Sequence, residues 1–125
     1  MSDTLAGKRI VVVEDDTTIS FTLKEWFGLH NEVHVYDSAE EALDALDPTY
    51  ITDVFIVDHF LTGMTGADFF KQIRPRYPQS KFILITGDLN LQMALEGQEM
   101  GYDALILKPF DLVILEKNIA NLVAA

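Results

Sequence analysis

Arg9-Ile10-Val11-Val12-Val13-Glu14-Asp15-Asp16 decides the fold class. After the arginine, four β-branched residues form a run of strand length that is apolar on both faces, and three acids then end it. An unbroken apolar run of this kind belongs to a strand covered from both sides, as in a parallel sheet. Further runs of strand length lie at residues 32–36, 54–57, 81–85 and 104–107. All but one are nearly all apolar. The exception, Glu32-Val33-His34-Val35-Tyr36, alternates and reads as an edge strand.

Between these runs the period becomes helical. Ile19, Leu23, Trp26 and Phe27 fall on one face, with Asp16 placed to cap the helix that carries them. Ala39, Ala42, Leu43 and Leu46 follow a Ser38-x-x-Glu41 capping box. Phe70, Ile73 and Tyr77 form a third stripe that stops near Pro75 and Pro78. Leu91, Ala94 and Leu95 form a fourth, and Leu112, Leu115, Ile119, Leu122 and Val123 a fifth. Five strand–helix alternations imply parallel strands joined by right-handed crossovers, with helices on both faces. The expected fold is a single doubly wound α/β domain over residues 1–125.

Composition narrows the function. With 125 residues, 49% of them hydrophobic, the chain can bury a core of its own. It has no cysteine, so no disulfide or thiolate site can hold it. Twenty acids against nine lysines and arginines give a net charge of −11, which repels phosphate backbones and anionic lipid. Neither direct nucleic-acid binding nor membrane binding is expected. The N-terminus carries no secretory signal, so a cytoplasmic protein is the expectation.

Doubly wound sheets bind ligands beyond the carboxyl ends of their strands. At those ends stand Glu14, Asp15 and Asp16 after the first run, Asp58 after the third, Thr86 after the fourth and Lys108 after the fifth. Crowded carboxylates raise one another's pKa unless a cation neutralises them. A hard divalent ion with oxygen ligands, magnesium above all, suits the group. Asp15 and Asp58 are the expected direct ligands, with Glu14 acting mainly through water. A carboxylate can also attack phosphorus to form an aspartyl phosphate, and that transfer needs positive charge and a donor on the phosphoryl oxygens. Lys108 would supply the charge and Thr86 the donor.

Val11-Val12-Val13-Glu14-Asp15-Asp16, Val57-Asp58-His59-Phe60-Leu61-Thr62-Gly63-Met64-Thr65-Gly66, Ile85-Thr86-Gly87 and Lys108-Pro109-Phe110 together resemble the receiver domain of two-component response regulators. The resemblance runs from about Lys8 to the last helix. It implies a flavodoxin-like (βα)5 fold with strand order 2-1-3-4-5. It also implies a phosphoryl group accepted on Asp58 from a histidine kinase or phosphotransfer protein, and a change of shape read by a downstream effector. Glu14 and Asp15 would be the acidic pair, the Phe60 backbone carbonyl would complete the magnesium site, Thr86 would be the switch hydroxyl and Lys108 would contact the phosphoryl group. Small Gly87 would leave room for that group, and the Lys108–Pro109 bond would be cis. Such a domain catalyses only its own phosphorylation and dephosphorylation and is not otherwise an enzyme. Ending at Ala125, the chain fits a single-domain regulator or a receiver cut from a longer protein.

Three positions depart from the family pattern. Leu61-Thr62 replaces a common Met-Pro, which predicts a more mobile loop after Asp58. Leu105 replaces an aromatic residue, so a rotating-ring switch is not expected there. Phe60 puts an apolar ring two residues beyond Asp58, where it would shield the phosphoryl group from water. His59 reads as a surface histidine turned away from Asp58, and Trp26 with Phe27 as core. Competing functions are a receiver-like protein-binding module seldom phosphorylated, a magnesium-dependent phosphohydrolase and a nucleotide carrier. The acids after the first strand would repel the phosphate of the last, and the spacing of the acids does not match an Asp-x-Asp hydrolase nucleophile.

Overall fold

The computed structural model of the chain describes residues 4–47, 49–88 and 102–124. Five parallel strands, β1 (Arg9–Val13), β2 (Glu32–Tyr36), β3 (Val54–Asp58), β4 (Lys81–Thr86) and β5 (Ala104–Leu107), form one sheet in the order β2-β1-β3-β4-β5. The order reverses between β1 and β3, so the ends of those two strands flank the crevice that a doubly wound sheet offers to ligands. Four helices are described: α1 (Thr17–Phe27), α2 (Ala39–Ala45), α3 (Gly66–Ile73) and α4 (Leu112–Ala124). The expected helical stripe of Leu91, Ala94 and Leu95 lies outside the described residues.

The apolar runs become central strands for the reason their composition suggests. Every residue of β3 is buried, and the sheet carries a separate core on each face. On one face Val11, Phe55, Phe82 and Leu84 meet Ala39 and Ala42 of α2 and Phe69, Phe70 and Ile73 of α3. Phe55 and Phe82 stack at 5.1 Å, and Tyr77 meets Phe55 edge-on at 5.2 Å. On the other face Ile10, Val12, Ile56 and Ile83 meet Leu23 and Phe27 of α1 and Leu115 and Ile119 of α4. Burying a side chain of this size contributes about 1.5–3 kcal/mol, so packing alone can hold a chain that has no cross-link.

β2 is an edge strand, as its alternation predicts, with Glu32 and His34 outward and Val33 and Val35 against the core. β5 departs from its reading as a covered strand: its four residues are all half-buried, because it forms the opposite edge of the sheet. β3 and β4 each run one residue past their apolar runs, since Asp58 still pairs with Ile85 and Thr86 with Leu107.

Helix starts follow local chemistry. Asp16 Oδ1 accepts from the Thr18 and Ile19 N–H groups, and Ser38 Oγ from the Glu41 N–H. The Glu41 carboxyl meets that of Asp37, which pushes its pKa up. Thr65 caps α3 through the Asp68 N–H. That helix ends at Ile73 ahead of Pro75, so Tyr77 extends its apolar face from a following turn. Trp26 donates its indole N–H to Glu116 of α4 at 3.0 Å, and the other oxygen of Glu116 accepts from the Leu5 N–H at 2.8 Å. One carboxylate thus joins the first described segment, α1 and α4.

Candidate functional site

Glu14 leaves β1 still tied to the sheet, its N–H donating to the Tyr36 carbonyl at 3.0 Å. Its side chain is 2% exposed, whereas Asp15 beside it is exposed. Asp58 ends β3 almost fully buried. Carboxylate oxygens of Glu14, Asp15 and Asp58 all lie within 4.8 Å of one another, so two strand ends bring the three acids into one cluster. Lys108 reaches them from the end of β5. Its Nζ stands 3.2 Å from Glu14 Oε2 and 3.4 Å from Asp58 Oδ1.

The electrostatics follow from burial and charge. Burial pushes the Glu14 carboxyl up to about 7; the Asp16 N–H opposes this, Asp58 adds to it and Lys108 offsets it. Burial alone would lower the Lys108 pKa, but the charges of Asp58 and Glu14 outweigh it and raise the pKa above the ordinary value. The ammonium therefore stays charged at neutral pH. Three carboxylates with one ammonium are a donor set of oxygens carrying excess negative charge, which fits a hard divalent cation.

Thr86 is fully buried at the end of β4, and its Oγ accepts from the Asp88 N–H at 3.1 Å. Its carbonyl accepts from the Lys108 N–H at 2.7 Å, which locks the two strand ends together. The peptide bond from Lys108 to Pro109 is cis, as expected. Among the described residues, a Cβ at Gly87 would meet only Lys108 Cβ, at 3.8 Å, an ordinary contact distance.

The loop after Asp58 is well anchored despite lacking a proline. The His59 carbonyl accepts from the Leu61 and Gly66 N–H groups, and Leu61 and Met64 pack on the core. Gly63 adopts φ 96°, and the Glu40 carboxylate of α2 lies where its side chain would begin. Gly66 lets α3 dock directly on β3: a Cβ there would lie 2.6 Å from the Asp58 carbonyl oxygen and 2.7 Å from Leu84 Cδ1. These bonds and contacts tie the loop to β4, to the start of α3 and to the core where the sequence offers no proline restraint.

The structure corrects the reading of His59. It is 7% exposed, not a surface histidine, and burial pushes its pKa down. The alternation that turns it away from Asp58 turns it into the opposite face of a central strand, which is also covered. Phe60 is 55% exposed, and its ring meets the His59 ring edge-on at 5.1 Å. No apolar signal marks His59, and only the two-sided covering of β3 could have exposed its burial.

A separate hollow of about 270 Å³ lies between β2 and the end of α2, lined by Arg9, Glu32, His34, Tyr36 and Tyr50. Glu32 there pairs with both Arg9 and His34 at 2.7 Å, and Arg9 covers the Tyr50 ring. It contains none of the strand-end acids.

Comparison with known proteins gives one answer. The family model described as the response regulator receiver domain matches residues 10–120. The DNA-binding transcriptional regulator NtrC of Klebsiella pneumoniae is 32% identical over 102 residues, which cover 81% of this chain and 22% of that protein. The two-component response regulator PhoP of Pseudomonas aeruginosa is 29% identical over 113 residues, covering 89% of this chain and 49% of that one. The chain thus spans half or less of these relatives' length. Among solved structures, a CheY-like response regulator receiver domain protein from Methanospirillum hungatei superimposes with a TM-score of 0.85 at 27% identity, over 95% of both chains.

Proposed function

Since the chain belongs to the family of response regulator receiver domains, we propose that residues 1–125 act as a receiver that takes a phosphoryl group on Asp58. The observation that carries the reading is Lys108, whose Nζ lies within 3.4 Å of Asp58 and 3.2 Å of Glu14 at the centre of the acid cluster. In the reaction a carboxylate oxygen of Asp58 bonds to phosphorus as the bond from phosphorus to the donor breaks. The electron pair of that bond stays with the donor group. Lys108 then swings its ammonium from the carboxylate to a phosphoryl oxygen, with its Glu14 contact already in place. The Thr86 hydroxyl, which accepts from Asp88, keeps its proton for a second phosphoryl oxygen. Held by Glu14, Asp15, Asp58 and the Phe60 carbonyl, magnesium would neutralise the crowded charge and orient the phosphoryl oxygens.

The phosphoryl donor is a histidine kinase or phosphotransfer protein, and the output is a downstream effector. The chain catalyses its own phosphorylation and dephosphorylation and nothing else. Its charge of −11 argues against direct contact with nucleic acid. A cytoplasmic location belongs to the same reading; among the described residues no helix is long and apolar enough to cross a membrane. Acetyl phosphate with magnesium should label Asp58 stoichiometrically, and Asp58→Asn should abolish the label. Persistent label on another side chain of that variant, located by mass spectrometry, would sink the assignment.

A further inference from the structure

We propose that the end of the molecule opposite the acid cluster, at the amino ends of β1, β2 and β3, is an interface through which two copies of this chain associate. Residues drawn from 7–9, 28–32 and 49–53 line a broad, open depression of about 830 Å³ there. Leu29, Tyr50 and Ile51 belong to that lining and are 71%, 60% and 75% exposed. Leu29 and Ile51 are the two most exposed large apolar side chains among the described residues. Exposed apolar residues scattered singly are ordinary, but three around one depression form a patch of the kind that marks an interaction surface. The inference does not rest on the reading of Asp58.

Charge selects the occupant. The lining carries Lys8 and Arg9 against Glu32 and Asp53, so its formal charge sums to zero with His30 neutral, in a chain whose net charge is −11. Two copies repel wherever acid is in excess, and a strongly acidic or basic partner gains nothing from a face with no charge of its own. The other exposed apolar side chains stand in acidic company. Phe21 lies one turn from Glu25 on α1, Phe60 follows Asp58 closely, and Val113 and Ile114 lie between Asp111 and Glu116. Within one copy the pairing at the depression is incomplete. Arg9 and His34 share Glu32, whereas Lys8 has no ion-pair partner among the described residues. Asp53 accepts from the Arg9 N–H through one carboxylate oxygen, at 2.8 Å. A two-fold axis through the depression sets each Lys8 against the Asp53 of the other copy as the apolar side chains meet, the self-complementary pattern that an isologous interface requires. The twelve lining residues are about half of the 20–30 that a standard interface uses on each side, so the expected dimer is weak, with a dissociation constant of roughly 10–100 μM. The five residues of β1 separate this face from the acid cluster by about 16 Å, which leaves the cluster open in the dimer.

The test is sedimentation velocity of the full chain at concentrations from about tenfold below to about tenfold above that constant. The average mass should rise from one copy toward two. Ile51→Asp and Leu29→Asp each place a carboxylate in the apolar patch of both copies, and each should weaken association about tenfold or more. Ile114→Asp makes the same kind of change on another face and should leave the constant within about twofold of wild type. Lys8→Glu should weaken association about threefold or more at low salt, and by less at high salt, where the charges are screened. Should one of the two patch variants fold poorly, the other decides. A chain that stays monomeric across the range would overturn the inference and leave the patch to a different protein. A dimer that survives both Ile51→Asp and Leu29→Asp, or one that Ile114→Asp disrupts as strongly as they do, would overturn it as well.

Discussion

Both carboxylate oxygens of Glu14 already accept a hydrogen bond, one from the Asp16 N–H at 3.1 Å and one from Lys108 at 3.2 Å. Asp15 is exposed at the rim of the same cluster. A cation entering from solvent therefore meets Asp15 with less to displace, and Glu14 is better placed to act through a bridging water. Asp15→Ala should weaken magnesium binding by more than the roughly 10- to 100-fold that loss of an outer-sphere partner costs, and Glu14→Ala by no more than that. Melting temperature against magnesium concentration measures both, because a ligand of the native state raises stability with the logarithm of its concentration relative to its dissociation constant. Equal losses, or tighter binding by the Asp15 variant, would contradict the order. At this scale the sequence was most legible where a residue's type departs from its surroundings. Three acids, a threonine and a lysine stand out at the ends of apolar runs. His59 did not, because its environment comes from α3 and the neighbouring strands and not from its own segment. The Glu40 carboxylate beside Gly63 was invisible for the same reason: it depends on how α2 meets a loop more than twenty residues away.

Among the elements, α3 shows how a strand end and a helix start constrain each other. Gly66 is the first helical residue, and its N–H donates to the His59 carbonyl at 2.8 Å. On helix propensity alone, Gly66→Ala would stabilise the protein by up to about 1 kcal/mol. Packing decides otherwise, because the added carbon would lie within 3.0 Å of the Asp58 carbonyl oxygen, Leu84 Cδ1 and His59 Cα. Backbone atoms cannot step aside as a flexible side chain can, so the helix must withdraw. The expected result is a loss of about 1–3 kcal/mol in urea unfolding, with weaker magnesium binding as the end of β3 shifts. A variant as stable as wild type would show that α3 has slack at its start. The elements themselves were readable from periodicity, since central strands are apolar throughout and each helix has one apolar face. Their ends were less so. Asp58 and Thr86 break the apolar runs that precede them, yet backbone pairing carries each strand through them, and β5 looks central because its apolar content does not record which strands flank it.

For the molecule as a whole, the question is how an event at the acid cluster reaches a distant face. Thr86 is joined to Lys108 through the β4–β5 ladder, and its hydroxyl is held by Asp88. Leu105 is half-buried against the core shared with α2 and α3, and has no polar tip to follow a charge. A structure with a beryllofluoride mimic of the phosphoryl group should show Thr86, Gly87 and Asp88 drawn toward Asp58 with Leu105 in an unchanged rotamer. If Leu105 swings while Thr86 stays still, the route of coupling is different.

The joint made by Glu116 also gives the protein an optical property. Trp26 is the only tryptophan in the chain, and its indole N–H is bound to a carboxylate on α4. Its emission therefore reports the seam between α1 and α4. A sliding of α4 that lengthens this bond would change the colour and brightness of the intrinsic fluorescence without any attached dye, giving a real-time readout of whether the last helix moves when the acid cluster is filled.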